Sequence, residues 1–223
     1  IGVIKMYLGH FEEAEELFKE AKEYFKSVDN NNHRLLYLRS LYRLGEINQF
    51  THQYKEATTI NLLGLQEALS IEQKYQEMYF NLGIGIDNYL AKEYELAIQH
   101  IQKSIPTLEG LGDFDVVQKA EFYLGESFLA LNHEEKALES FQKVDSLFIK
   151  NGFLNPIARG SYERLIDFYK EKNDKDKQLY YINQLLEADK INAENNQQLA
   201  YTLNKEYDTK RLLENKAQLE KQF

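Results

Sequence analysis

The side chains that could do chemistry are few in kind and poorly spaced for it. The 223-residue chain has five histidines and no cysteine, which removes thiolate chemistry, disulfides and Cys-ligated zinc. His10, His52 and His133 each stand shortly before an alanine (Ala14, Ala57, Ala137), some 40 residues or more apart, and no His-x-x-x-His pair occurs. Residues so separated cannot share a metal, so they read as turn residues and no metal is expected. Gly83-Ile84-Gly85-Ile86-Asp87 lacks the third glycine and the lysine of a phosphate loop, and reads as glycines at a helix crossing. No Gly-x-Ser-x-Gly elbow is present, and the carboxylates fall as i, i+4 partners of lysines on solvated helix faces. No catalytic residue and no cofactor is assigned, and the chain reads as a non-enzyme.

Composition narrows the class further. With 43% hydrophobic residues the chain can bury a substantial core, yet it has no run near the roughly 18 apolar residues a membrane span needs. A formal net charge of −9 argues against direct nucleic-acid binding by this segment, because such affinity comes from clustered Lys and Arg. Only two prolines, Pro106 and Pro156, occur, and strand signals are nearly missing. Helices must therefore position whatever acts here.

Those helices repeat. A small or polar turn, an aromatic and then Ala three residues on appears as Gly9-His10-Phe11-Glu12-Glu13-Ala14, His52-Gln53-Tyr54-Lys55-Glu56-Ala57 and Lys92-Glu93-Tyr94-Glu95-Leu96-Ala97. A fourth copy, Asn132 to Ala137, lacks the aromatic, and Asn173 to Gln178 is a degenerate fifth. Successive spacings are 43, 40, 40 and 41 residues. Twelve residues ahead of the alanines Ala57, Ala97 and Ala137 stand Leu44-Gly45, Ile84-Gly85 and Leu124-Gly125. Glycine in a first helix and alanine in a second let two antiparallel rods approach at their crossing, with Phe18 or Phe141 filling the space beside it. The helix-packing set is thus Ala14, Gly45, Ala57, Gly85, Ala97, Gly125 and Ala137. Pro106 falls late in a second helix, and either kinks it or comes after a helix that ends near Ser104.

The Leu-Gly, aromatic and Ala positions resemble the tetratricopeptide repeat (TPR) family over Ile1 to Lys190. The resemblance implies an all-α, right-handed superhelical solenoid of antiparallel helix pairs. Ordinary TPRs repeat at about 34 residues, so the extra residues here are expected in longer second helices and in polar loops at Ser27 to His33, Glu109 to Asp115 and Lys150 to Asn155. Longer repeats of this kind resemble signalling members of the family, including peptide-pheromone receptors of the Rap type. In a TPR superhelix the first helices line the concave side, facing inward three positions before and one after each glycine. With their neighbours, those positions give a groove of Tyr42, Arg43, Glu46, Tyr79, Leu82, Ile86, Tyr89, Phe122, Tyr123, Glu126, Glu163, Arg164 and Asp167. Arg43, Tyr79, Tyr89, Tyr123 and Arg164 are the residues expected to meet a ligand. Tyr offers contact area at low entropic cost and Arg can grip a carboxylate, so a peptide or protein partner is expected.

From Ala193 onward the pattern becomes a polar helical stretch, giving five TPR-like repeats over 1–190, the first truncated, and a helical extension over 191–223. Asp208 either caps a new helix there or lies within an unbroken one. Asp176 to Leu186 together with Lys205-Glu206-Tyr207-Asp208-Thr209 resembles the end of the TPR sensor region in bacterial membrane-spanning transcriptional regulators. That resemblance implies an extracytoplasmic sensor from a membrane-anchored parent, although this segment itself inserts in no membrane. The alternative is a cytosolic adaptor or peptide-pheromone receptor. Ile1-Gly2 stands where a Leu-Gly phrase would, so a trimmed fragment is expected, and a homodimer is left open.

Overall fold

The computed structural model describes residues 1–27 and 30–220. All of its elements are helices: α1 (Gly2–Tyr7), α2 (Phe11–Lys26), α3 (Asn31–Phe50), α4 (Tyr54–Ser70), α5 (Lys74–Leu90), α6 (Tyr94–Gly110), α7 (Phe114–Ala130), α8 (Glu134–Asn151), α9 (Gly160–Glu171) and α10 (Lys175–Glu220). Each packs mainly against its neighbours in sequence, and α3, α5, α7 and α9 form an inner layer in which next-but-one helices also touch. This is the stacked-pair solenoid expected from the repeats. Positions 28–29 of the expected Ser27 to His33 loop, and 221–223 of the tail, lie outside the described residues.

The period has a local cause. The helices α4 to α7 are each 17 residues long, and every link between them is three residues. At the middle of successive links stand His52, Glu72, Lys92, Gly112 and Asn132, all with positive φ and all 20 residues apart. Each link closes in the same way. Lys92 N–H reaches the Tyr89 carbonyl and Glu93 N–H the Asn88 carbonyl at 2.8 Å, the paired bonds of a Schellman motif. The 72–73, 112–113 and 132–133 pairs repeat that pattern. Two units of seventeen plus three give the repeat of 40.

The extra length is therefore shared by both helices of each pair, and the expectation of long inter-repeat loops is corrected at Glu109 to Asp115. There α6 runs to Gly110 and α7 starts at Phe114, because a Schellman closure needs one left-handed residue rather than a polar loop. The link after α8 is the exception. Gly152 ends that helix in the left-handed region, and the backbone beyond it is satisfied by buried Gln118, which accepts from Asn155 N–H at 2.7 Å and donates to the Phe153 carbonyl at 2.9 Å. In consequence α9 has only 12 residues.

Close approach fixes the hairpins. A Cβ added at Gly2, Gly45, Gly85 or Gly125 would come within about 3 Å of Phe18, Asn61, Ile101 or Phe141 respectively. Each partner lies 16 residues on, one helical turn past the matching alanine, so the glycine makes room for that larger side chain. Ala14, Ala57, Ala97 and Ala137 are themselves buried. Across repeats, Gly64 of α4 meets Phe80 of α5 at the same separation.

Two open points of the sequence resolve here. The helix α6 continues through Pro106, so it does not end near Ser104. The tail helix runs unbroken through position 208. At 1.5 Å per residue its 46 residues extend for about 69 Å, and α10 reaches back to touch α1.

Non-glycine residues in the left-handed region cost about 1 kcal/mol each. Glu72→Gly and Lys92→Gly should therefore each raise the urea midpoint, by up to about 1 kcal/mol in stability, whereas Ala57→Leu and Ala137→Leu should lose about 1–3 kcal/mol by overpacking. Loss of stability in the glycine variants would contradict the shared turn geometry.

Candidate functional site: the inner wall

The inner layer brings eight of the groove residues into two groups and leaves Leu82, Ile86, Phe122, Glu163 and Asp167 apart, Glu163 being an exposed partner of Arg159. The first group is Tyr42, Arg43 and Glu46 on α3 with Tyr79 on α5. The second is Tyr89 on α5, Tyr123 and Glu126 on α7, and Arg164 on α9. Asp167 stands exposed beside a separate hollow near Leu138, Phe168 and Glu171. Leu82 and Ile86 are buried in the core between layers, and Phe122 packs on Gly160 and Phe141.

In the first group the wall is paired with itself. Glu46 is only 6% exposed and Tyr42 only 5%. Glu46 accepts from Arg43 Nη1 at 2.6 Å and is ion-paired with Lys119 of α7. Lys119 Nζ also donates to the Tyr42 hydroxyl at 2.9 Å, and lies 5.3 Å over the centre of the Tyr42 ring. Burial by itself would push the Glu46 carboxyl up, but the charges of Lys119 and Arg43 override it and hold the group down at about 2. Burial disfavours the Lys119 ammonium, and the Glu46 charge reverses that effect and raises its pKa. Burial raises the Tyr42 phenol. The ring of Tyr42 meets that of Tyr79 edge to face at 5.3 Å, and the Tyr79 hydroxyl donates to Asp113.

The second group repeats the scheme one repeat on. Arg164 grips Glu126 with Nε at 2.7 Å and Nη2 at 2.9 Å, and the Tyr89 hydroxyl approaches the same carboxylate at 3.4 Å. Burial, and then the Glu126 charge, push the Tyr89 phenol up to about 12. Tyr89 and Tyr123 meet edge to face at 5.2 Å. Both arginines expected to grip a ligand carboxylate are thus already held by a wall glutamate one position after the repeat glycine or its equivalent.

Lys119 is the residue that sequence reasoning missed. It stands six positions before Gly125, as Tyr79 stands six before Gly85 and Arg39 six before Gly45. Extending the inward-facing register by one more turn would have found both cations. Arg39 remains exposed at the rim of a hollow of about 480 Å³, whose other walls include Phe18, Phe25, Leu36, Tyr42 and Tyr79. Two smaller hollows of about 140 and 190 Å³ flank the Glu46 and Lys119 pair.

The histidines are scattered as their spacing requires. His10 and His133 precede α2 and α8, and His52 occupies a link. Burial lowers the pKa of His100, whose Nδ1 lies 3.1 Å from Asn81 Oδ1. Among the described residues no three His, Asp or Glu side chains converge as a metal site.

No protein-family model matches the chain, and no curated protein matches it in sequence. Solved structures share its fold. A Rap protein complexed with Competence and Sporulation Factor superposes with a TM-score of 0.71 at 15% identity, over 87% of this chain and 53% of that one. The apo form of RapI gives 0.62 at 14% identity, over 85% of this chain and 68% of that one. A signal transduction ATPase with numerous domains from Pyrococcus horikoshii, carrying a tetratricopeptide repeat sensor, gives 0.61 at 18% identity, over 80% of this chain and 27% of that one. At these identities the likeness establishes a TPR-like solenoid fold. The chain spans about half the length of the first of these proteins.

These findings correct one expectation. The assignment to the sensor region of membrane-spanning regulators, and the extracytoplasmic placement drawn from it, do not stand. The solenoids that match in fold include Rap proteins and an ATPase sensor. The tail phrase that carried the resemblance lies inside α10, a polar helix continuous with the fifth hairpin.

The Glu46 network sets an acid limb of stability. A carboxyl held near 2 when folded, against 4.5 when free, contributes fully above about pH 5 and loses its contribution as pH falls from 4.5 through 2. Denaturant unfolding between pH 6 and 2.5 should show Glu46→Gln flattening that limb. An unchanged slope would place the charge of Glu46 outside the fold's energetics.

Proposed function

We propose that the chain is a non-enzymatic binding scaffold, an adaptor or peptide receptor that holds a peptide or protein segment against its inner wall. One observation carries this reading. The hollow of about 480 Å³ bounded by Val3 of α1, Phe18 and Phe25 of α2 and the facing sides of α3 and α5 joins an edge-to-face tyrosine pair, apolar side chains and the exposed Arg39. Aromatic contact area beside a cation and an apolar hollow is the usual make-up of a peptide anchor site. The reading is supported by fold analogy with a Rap protein whose structure is described as complexed with Competence and Sporulation Factor. Another solved relative in fold is described as carrying a tetratricopeptide repeat sensor. Fold analogy sets a prior, and the hollow supplies the site.

The test is selection of random twelve-residue peptides displayed against the immobilised chain, with titration of the enriched sequences. Binders are expected to lose roughly tenfold or more in affinity, about 1.4 kcal/mol, with Tyr79→Ala or Arg39→Ala. No enrichment, or binders indifferent to both substitutions, would overturn the reading.

A further inference from the structure

Repeats in a solenoid ordinarily touch only their immediate neighbours, yet here polar side chains reach across the inner channel between helices that do not adjoin. Lys119 of α7 bonds to Tyr42 and Glu46 of α3, 77 and 73 residues away, with α5 standing between those helices in the inner layer. Tyr7 at the end of α1 donates to Asp115 at the start of α7 at 2.7 Å, over 108 residues. The other oxygen of Asp115 accepts from Asn155 Nδ2 at 2.8 Å, in the link that leads to α9. Pro156 and Ile157 of that link line the same small hollow as Met6, Tyr7, Glu46 and Lys119. The helix α10 also meets α1. The first repeat is thereby tied to the fourth and fifth, and protein side chains bridge the channel between them.

We propose that the Arg43, Glu46 and Lys119 cluster together with the Tyr7, Asp115 and Asn155 chain is a clasp that holds the superhelix in a closed turn, and that its opening exposes the inner channel. The clasp has the energetics of a two-state element. Lys119 is 3% exposed and Glu46 is 6% exposed, and taking such charges out of water offsets much of their mutual attraction. When the clasp opens, Lys119, Glu46 and Arg43 recover their hydration, so the two states lie closer in free energy than the bond count suggests. The glycine contacts within each hairpin need not change. Small rotations at successive repeat interfaces add up to a change of pitch, and the helices move as rigid bodies. Paired contacts that either form or separate give discrete closed and open states.

The functional meaning of the clasp rests on the inner wall being the binding surface, but its existence can be tested without a ligand. The chain has no cysteine, so Glu16→Cys on α2 and Glu139→Cys on α8, both exposed, take two spin labels at unique sites. Pulsed electron resonance then reads the distance between the first and fourth repeats. The parent is expected to give one short-distance population. Lys119→Met should add a longer-distance population with far-ultraviolet circular dichroism unchanged, and Tyr7→Phe, which keeps the ring, should shift the distribution the same way by less. Lys103→Met, which breaks the exposed pair with Glu77, should leave it alone. If Lys119→Met does not fold, Tyr7→Phe decides. The clasp is refuted if the folded clasp variants keep the parent distribution, or if Lys103→Met moves it as far. A groove that selects no peptide would leave these distances as they are, so the two readings fail separately.

Discussion

The contact between a residue on one helix and the residue sixteen positions later on the next is the constraint that shapes the rest of this molecule. It exists because the two helices of each hairpin from α1 to α8 are joined by a three-residue link, so the chain folds back about the third link residue and the two rods face each other in fixed register. Glycine at one side of the contact lets Phe18, Asn61, Ile101 or Phe141 enter from the other. Once that register is set within hairpins, and repeated across them at Gly64 and Phe80, the inner helices have no freedom to choose which face lines the channel.

The inner wall inherits its chemistry from this register. Residues six before, three before, two before and one after each first-helix glycine share one face, and on α3 they are Arg39, Tyr42, Arg43 and Glu46. A face that mixes cations, anions and tyrosines at short range satisfies itself whenever the channel is narrow enough. Glu46 with Arg43 and Lys119, and Glu126 with Arg164, are the result. The charges read as ligand contacts thus serve first as internal partners, and Arg39 at the rim is left exposed to solvent. On a chain of net charge −9 the wall around Glu46 and Glu126 is therefore mostly charge-paired.

How much of this was legible in the sequence depends on the range of the interaction. Ala57, Ala97 and Ala137 with Gly45, Gly85 and Gly125 mark the hairpins because close packing there leaves a small-residue signature at fixed spacing. The links between repeats left an uneven one. Glu72 takes a left-handed conformation without glycine, asparagine or proline to announce it, since the flanking helices impose the turn, whereas the glycines and aspartate of Glu109 to Asp115 read as a long loop where the helices run up to a three-residue link. Asp208 is of a type that often caps helices, in a segment whose helix simply runs on. The pairing of Lys119 was hidden for another reason. Its partners lie 73 and 77 residues away, and only the closure of the superhelix brings them together. The tail phrase misled because a short polar motif on a helix places no constraint on the chain to either side of it.

The register is tested most directly by a double-mutant cycle on Gly125 and Phe141, measured by urea unfolding, with Gly110→Ala, where an added Cβ meets nothing, as the helix-propensity control. Gly125→Ala should destabilise by about 1–3 kcal/mol through overpacking. Combined with Phe141→Leu the loss should fall short of the sum of the single losses by about 1 kcal/mol or more, because the smaller side chain vacates the space the new methyl needs. Strict additivity, or a Gly125→Ala variant as stable as Gly110→Ala, would mean that these helices do not meet sixteen residues apart.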